Sequence, residues 1–114
     1  MSSWRAHGMR AWLLQRLTAV YITIFFLSLL SIFVFKPFDD YLSWREFIAQ
    51  PLVNIATIFF FLAVLYHAWV GLRDVVIDYI PNFTLRMLAL MLIMLFLFAM
   101  GVWACMILIS VVVL

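Results

Sequence analysis

Polar positions are scarce along this chain, and the charged ones fall in clusters. Charge is confined to Arg5, Arg10, Arg16, Lys36, Asp39, Asp40, Arg45, Glu46, Arg73, Asp74, Asp78 and Arg86. Between the clusters lie three uncharged stretches, Leu17 to Phe35, Phe47 to Leu72 and Met87 to Leu114, of 19, 26 and 28 residues. A bilayer core about 30 Å thick needs about 20 apolar residues in a helix to cross it. Each stretch is long enough to cross once, and none divides into two crossings with a turn between. Strict alternation of apolar and polar residues, the mark of a transmembrane β-barrel, is absent. The pattern predicts an all-α integral membrane protein with three transmembrane helices, at about 13–35, 52–76 and 84–112. All of 1–114 then forms a single membrane domain.

The breaks agree with these spans. Lys36-Pro37 ends the first helix, because proline disfavours the helical conformation at the residue before it. Pro51 suits the first turn of the second helix, where a missing N–H costs nothing. Pro81-Asn82 separates the second and third helices. The segment 37–50 carries Tyr41 and Trp44 among charges, as a short amphipathic segment at a membrane surface does. The first stretch is longer than the apolar region of a signal peptide and has no small-residue cleavage site after it, so it reads as a retained helix.

Composition excludes other classes. Of 114 residues, 70% are hydrophobic and 11% charged, against about 25% charged in soluble domains. So few charges cannot cover a small soluble globule, and the chain is far too apolar for disorder. A net charge of +2 gives no footprint for nucleic acid. The single Cys105 forms no internal disulfide and no C-x-x-C-H haem attachment. Arg5, Arg10, Arg16, Arg73 and Arg86 lie on one side of the membrane and Lys36 and Arg45 on the other. The positive-inside rule therefore sets the N-terminus and the 73–86 loop in the cytoplasm and the C-terminus in the periplasm. The expected home is the inner membrane of a bacterium, since the first 16 residues do not resemble a transit peptide.

Four residues are candidates for chemistry. His67 lies inside the second span, where hydrocarbon cannot satisfy its ring nitrogens. Ala63 and Gly71, at i−4 and i+4, share its face, and Ala56 lies eleven residues before it. Small flanks admit a close helix or a flat macrocycle. Two readings follow: a histidine bonded across a helix pair, or a metal or haem ligand. Asp78 and Tyr79 sit about 17 and 18 Å below His67 by the helical rise. They read either as a solvated acid and an interfacial tyrosine, or as groups that hydrogen-bond a ligand carbonyl. Arg16 either snorkels and sets topology or pairs with a carboxylate such as a haem propionate. Met91, Met94, Met100 and Met106 read as packing. With only His7 and His67 in the chain, and His7 outside the membrane, one copy cannot build a bis-histidine haem in the bilayer. A half-site implies an oligomer.

The stretch HAWVGLRDVVIDYI, His67 to Ile80, resembles the smaller hydrophobic membrane anchor of bacterial succinate dehydrogenase. That family shows H-A-W-x-G near the end of its second helix and D-Y before the third. Here these are His67-Ala68-Trp69, Gly71 and Asp78-Tyr79, and the arginine with T-A of helix one is Arg16 with Thr18-Ala19. The resemblance implies one anchor of a heteromeric helix bundle in respiratory complex II. His67 would be an axial ligand of haem b, the other coming from the companion anchor of the complex. Tyr79 would hydrogen-bond ubiquinone with Asp78 beside it, and Arg16 would contact a haem propionate. Electrons would arrive from succinate through the flavoprotein and iron–sulfur subunits, so this chain alone catalyses nothing. Some family members carry a histidine six residues before the arginine; Arg10 holds that place here, and His7 is out of register.

Other readings are a haem-free fumarate-reductase-type anchor, a small transporter, or a structural or holin-like protein. A transporter of this size needs a carboxylate within a span, and no Asp or Glu falls inside any of the three stretches.

Overall fold

The computed structural model describes residues 2–112, with side chains from Gly8 onward. Four helices account for nearly all of them: α1 Ser2–Phe35, α2 Tyr41–Ala49, α3 Pro51–Tyr79 and α4 Phe83–Val111. Three are long and apolar enough to cross a membrane, over Gly8–Phe35, Pro51–Tyr79 and Phe83–Val111. The helix starts and stops follow local chemistry. Asp40 caps α2, accepting from the Ser43 amide and the Ser43 hydroxyl, both at 2.8 Å. Pro51 opens α3. Ile80, just before Pro81, leaves helical geometry with φ −114° and ψ 98°, as the proline ring demands. Asn82 caps α4 by accepting from the Leu85 amide at 3.0 Å, and Arg86 Nε donates back to the Ile80 carbonyl at 3.0 Å. The α3–α4 turn is thereby closed on itself.

The spans lie where the charge pattern set them, with one difference. Helix α1 begins at Ser2, not near residue 13. Charge sets where a chain leaves hydrocarbon, not where a helix ends. The stretch before the span contains good helix formers and no proline, and Gly8 alone is too weak a breaker to stop it. The surface segment of 37–50 forms the short helix α2.

Helix α3 is central. Helices α1 and α4 both pack on it without a close backbone approach to each other among the described residues, while the backbone of α2 lies against α3 and α4. The molecule measures 52 × 27 × 26 Å, long enough for a bilayer of about 40–45 Å with its headgroups. Its packing is the inverse of a soluble core. Among the described residues, the buried apolar ones are Ile48, Ala49, Val70, Val76 and Leu108, and two polar residues, Asn54 and Thr57, are buried with them. Large apolar side chains such as Phe26, Phe59, Leu95 and Phe98 point outward. At the α2 end, Phe33, Phe38 and Trp44 form an aromatic cluster with ring centroids 5.2 to 5.6 Å apart. Asn54 joins three helices there, donating to the carbonyls of Ile48 at 3.1 Å and Leu108 at 2.7 Å.

Candidate functional site

The seam between α1 and α3 is apolar except where a short ladder of polar groups crosses it. Gln15 and Thr18 are three residues apart on α1, so their side chains lie on one face, and both reach His67 of α3. Gln15 Nε2 donates to the His67 carbonyl at 3.4 Å. Thr18 Oγ1 lies 3.3 Å from His67 Nδ1. Further along, the Tyr21 hydroxyl donates to the Ala56 carbonyl at 2.6 Å, and Phe25 stacks on Phe60 with centroids 4.5 Å apart. In hydrocarbon a polar group must find its partner within the protein, so these contacts fix the rotation of α1 about its own axis.

The direction of the Thr18–His67 bond depends on the ring tautomer. Thr18 has one hydroxyl proton, and it goes to the Gln15 carbonyl at 3.0 Å, a bond back into the preceding turn that threonine favours in helices. With that proton so placed, the hydroxyl oxygen is left to accept from the ring in the tautomer that carries its proton on Nδ1. Nε2 has no hydrogen-bond partner among the described residues. Beside it on the helix, a Cβ added at Gly71 would meet nothing within 4 Å. No contact among the described residues therefore requires the glycine, and the space at this position is open. A half-buried imidazole held at Nδ1 by a side chain, with Nε2 unpartnered, is the arrangement a metal-bound histidine uses when its proton sits on Nδ1. Among the described residues no three His, Cys, Asp or Glu gather into a metal-holding cluster, so His67 offers a single ligand.

The other expected residues lie apart from His67. Arg16 is exposed, with its guanidinium 5.3 Å from the centre of the Trp12 ring, and it has no ion-pair partner among the described residues. Asp78 and Tyr79 occupy the last turn of α3, both exposed, Tyr79 at 79%. Neither makes a side-chain hydrogen bond among the described residues. One turn earlier, Arg73 pairs with Asp74 at 3.4 Å. The side chain of His7 lies outside the described residues. Sequence reasoning missed Gln15 and, as a partner of His67, Thr18. The available signal was a glutamine and a threonine one turn apart at the mouth of an apolar span. Gln15 Oε1 is buried without a partner among the described residues.

Comparison with known proteins gives this geometry a family. Residues 1–102 match the profile of the family described as succinate dehydrogenase/fumarate reductase transmembrane subunit. The chain belongs to that family. A relative from Coxiella burnetii (strain RSA 493 / Nine Mile phase I), a succinate dehydrogenase hydrophobic membrane anchor subunit, is 28% identical over 97 residues. That alignment covers 85% of this chain and 84% of the relative. Within the succinate dehydrogenase/fumarate reductase match lie all of α1, α2 and α3 and most of α4, and with them Gln15, Arg16, Thr18, His67, Asp78 and Tyr79.

Proposed function

We propose that this chain is the hydrophobic membrane anchor of a succinate:quinone oxidoreductase, supplying half of a haem b site and part of a ubiquinone-reduction site. The observation that carries the reading is His67: an intramembrane imidazole whose Nδ1 is held by Thr18 and whose Nε2 is free, in a chain of the anchor family. His67 Nε2 would ligate the haem iron, with the second axial histidine from a companion anchor. Arg16, just before the uncharged stretch of α1, would meet a propionate through its guanidinium. When bound, the haem supplies a one-electron relay within the bilayer.

The quinone site would lie at the end of α3. Reduction of a quinone to a quinol takes two electrons and two protons, so the site needs donors for the carbonyl oxygens and access to water. Tyr79 and Asp78 answer both needs, being exposed at the last turn of a span. The phenol donates to a quinone carbonyl and stabilises negative charge developing there; the Asp78 carboxylate accepts from the phenol or passes protons from water. The electrons would come from an iron–sulfur protein, itself reduced by a flavoprotein that oxidises succinate. Those partners would dock on the side that carries Arg5, Arg10, Arg16, Arg73 and Arg86, which is cytoplasmic by the positive-inside rule. The membrane would be a bacterial inner membrane, with the C-terminus in the periplasm.

The test is to purify the complex through a tag on this chain, identify the chains that copurify, and record the reduced-minus-oxidised spectrum. A flavoprotein, an iron–sulfur protein, a second anchor and a b-type haem are expected. In His67→Leu the haem spectrum or content should change. Copurification without haem would move the reading to a haem-free fumarate-reductase-type anchor. Haem with unaltered axial ligation in His67→Leu would remove His67 from the site.

A further inference from the structure

We propose that Thr18 is a positioning residue for His67: its hydroxyl selects the ring tautomer that presents Nε2 as a ligand. The proposal rests on the haem reading of His67 given above. An imidazole in an apolar span has no water to decide which nitrogen carries the proton. Here the decision is made by a chain of two bonds, from His67 Nδ1 to Thr18 Oγ1 at 3.3 Å and from Thr18 Oγ1 to the Gln15 carbonyl at 3.0 Å. With the hydroxyl proton on the Gln15 carbonyl, the oxygen is left to accept from Nδ1–H. The same turn of α1 holds the backbone at His67 through Gln15 Nε2. Ring and backbone are thus gripped by two side chains one turn apart, which limits swivelling about the Cα–Cβ bond.

Removing the hydroxyl has consequences that a purely structural tie between α1 and α3 lacks. Nδ1–H loses its acceptor, and the proton is free to occupy Nε2 instead, where it blocks ligation. Partners that hold the far nitrogen of a metal-bound histidine also raise its basicity, and their loss typically lowers metal affinity about 10–100-fold. A less basic ligand favours ferrous over ferric iron. The haem midpoint potential of a hydroxyl-free variant should therefore move in the positive direction.

The experiment uses the intact complex carrying Thr18→Val, Thr18→Ala or Thr18→Ser, with His67→Leu as a control. Haem per complex, the midpoint potential from a redox titration, and the ferric electron-spin resonance g-values are read. Val and Ala should lower haem retention and shift both potential and g-values, whereas Ser, which keeps the hydroxyl, should return them to the wild-type values. The proposal is overturned by wild-type potential and g-values in an assembled Val or Ala complex, or by a Ser variant displaced as far as Val. A measurement on the unmodified complex stands beside the variants, in case neither Val nor Ala assembles. Proton double resonance at the ferric haem should find an exchangeable Nδ1 proton that disappears in D2O, and its absence also overturns the proposal. An unaltered haem in His67→Leu refutes the parent reading instead, so the two failures are told apart.

Discussion

Replacing Tyr79 by Phe separates the quinone reading from every structural role of this residue. The ring stays and only the hydroxyl goes. Tyr79 is 79% exposed, and its hydroxyl has no partner among the described residues, so the substitution removes no contact from this chain. Surface changes of that kind fall within about ±0.5 kcal/mol in stability. At the quinone the accounting differs. A neutral hydrogen bond contributes about 0.5–1.5 kcal/mol, about a 2- to 13-fold effect. A donor aimed at charge that develops in the transition state is worth more, up to about 10²–10³ in rate at a preorganised site. Quinone reduction is thus expected to fall several-fold or more in Tyr79→Phe. The assay pairs ubiquinone reduction by succinate with reduction of a soluble dye that takes electrons before the membrane site. Dye reduction should hold at the wild-type rate. No loss in either assay would exclude the hydroxyl from the quinone site. Equal loss in both would mean that the complex failed to assemble, contradicting the exposure on which the reasoning stands.

Other expectations concern the frame. Asn54→Ala removes two hydrogen bonds that close the last turns of α2 and α4, a loss of about 1–3 kcal/mol at about 0.5–1.5 each. A lower thermal midpoint of the detergent-solubilised complex would register it, and an unchanged midpoint would refute it. A Cβ at Gly101 would sit 2.9 Å from Leu65 Cδ1, the mobile tip of a side chain. Gly101→Ala should therefore be tolerated, whereas Gly101→Leu should cost about 1–3 kcal/mol by overpacking the α3–α4 seam, again read from the thermal midpoint. The Asp40 carboxyl is held below the usual carboxylate range by the Ser43 amide and then by the Ser43 hydroxyl. A depressed folded value means that its capping of α2 is present above the ordinary carboxylate pKa and is lost as pH falls through the lowered one. Hydrogen exchange at the start of α2, corrected for its intrinsic pH dependence, should lose protection in acid and hold it near neutrality, and Asp40→Ala should abolish that change.

Much of the fold was legible because hydrocarbon penalises charge so heavily that the charged clusters bracket the spans. Lys36-Pro37, Pro51 and Pro81 then located the breaks, and the structure puts helix ends at Phe35, Pro51 and Tyr79. The start of α1 was not legible from charge, because a helix that has left the membrane continues as long as nothing stops it. At the candidate site, His67 stood out by the same energetic argument, since an ionisable ring in lipid needs a reason. Its partners did not. Gln15 precedes the first uncharged stretch, and Thr18 looked like a minor polar residue inside it. Only the crossing of α1 on α3, separated from them by about fifty positions in sequence, turns the pair into a clamp. Asn54 was hidden similarly, as an ordinary polar residue in the first turn after a proline, until α2 and α4 brought two terminal carbonyls to it.

The distribution of polar contacts also explains how such a chain acquires a defined shape. Lipid tails are as apolar as leucine, so burying apolar surface between helices supplies little drive in a bilayer. What distinguishes one rotation of α1 from another is then the set of bonds that only one rotation makes, namely Gln15 and Thr18 to His67 and Tyr21 to Ala56. The same bonds that orient the helix orient the imidazole. The fold and the ligand geometry are then specified by one set of residues, and they should fail together in variants that rotate α1 but separately in Thr18→Val, which keeps the Gln15 and Tyr21 contacts. Gly71 is exposed, and a Cβ there would meet nothing within 4 Å among the described residues. Under the proposed function, that position would be covered by the companion anchor and the macrocycle.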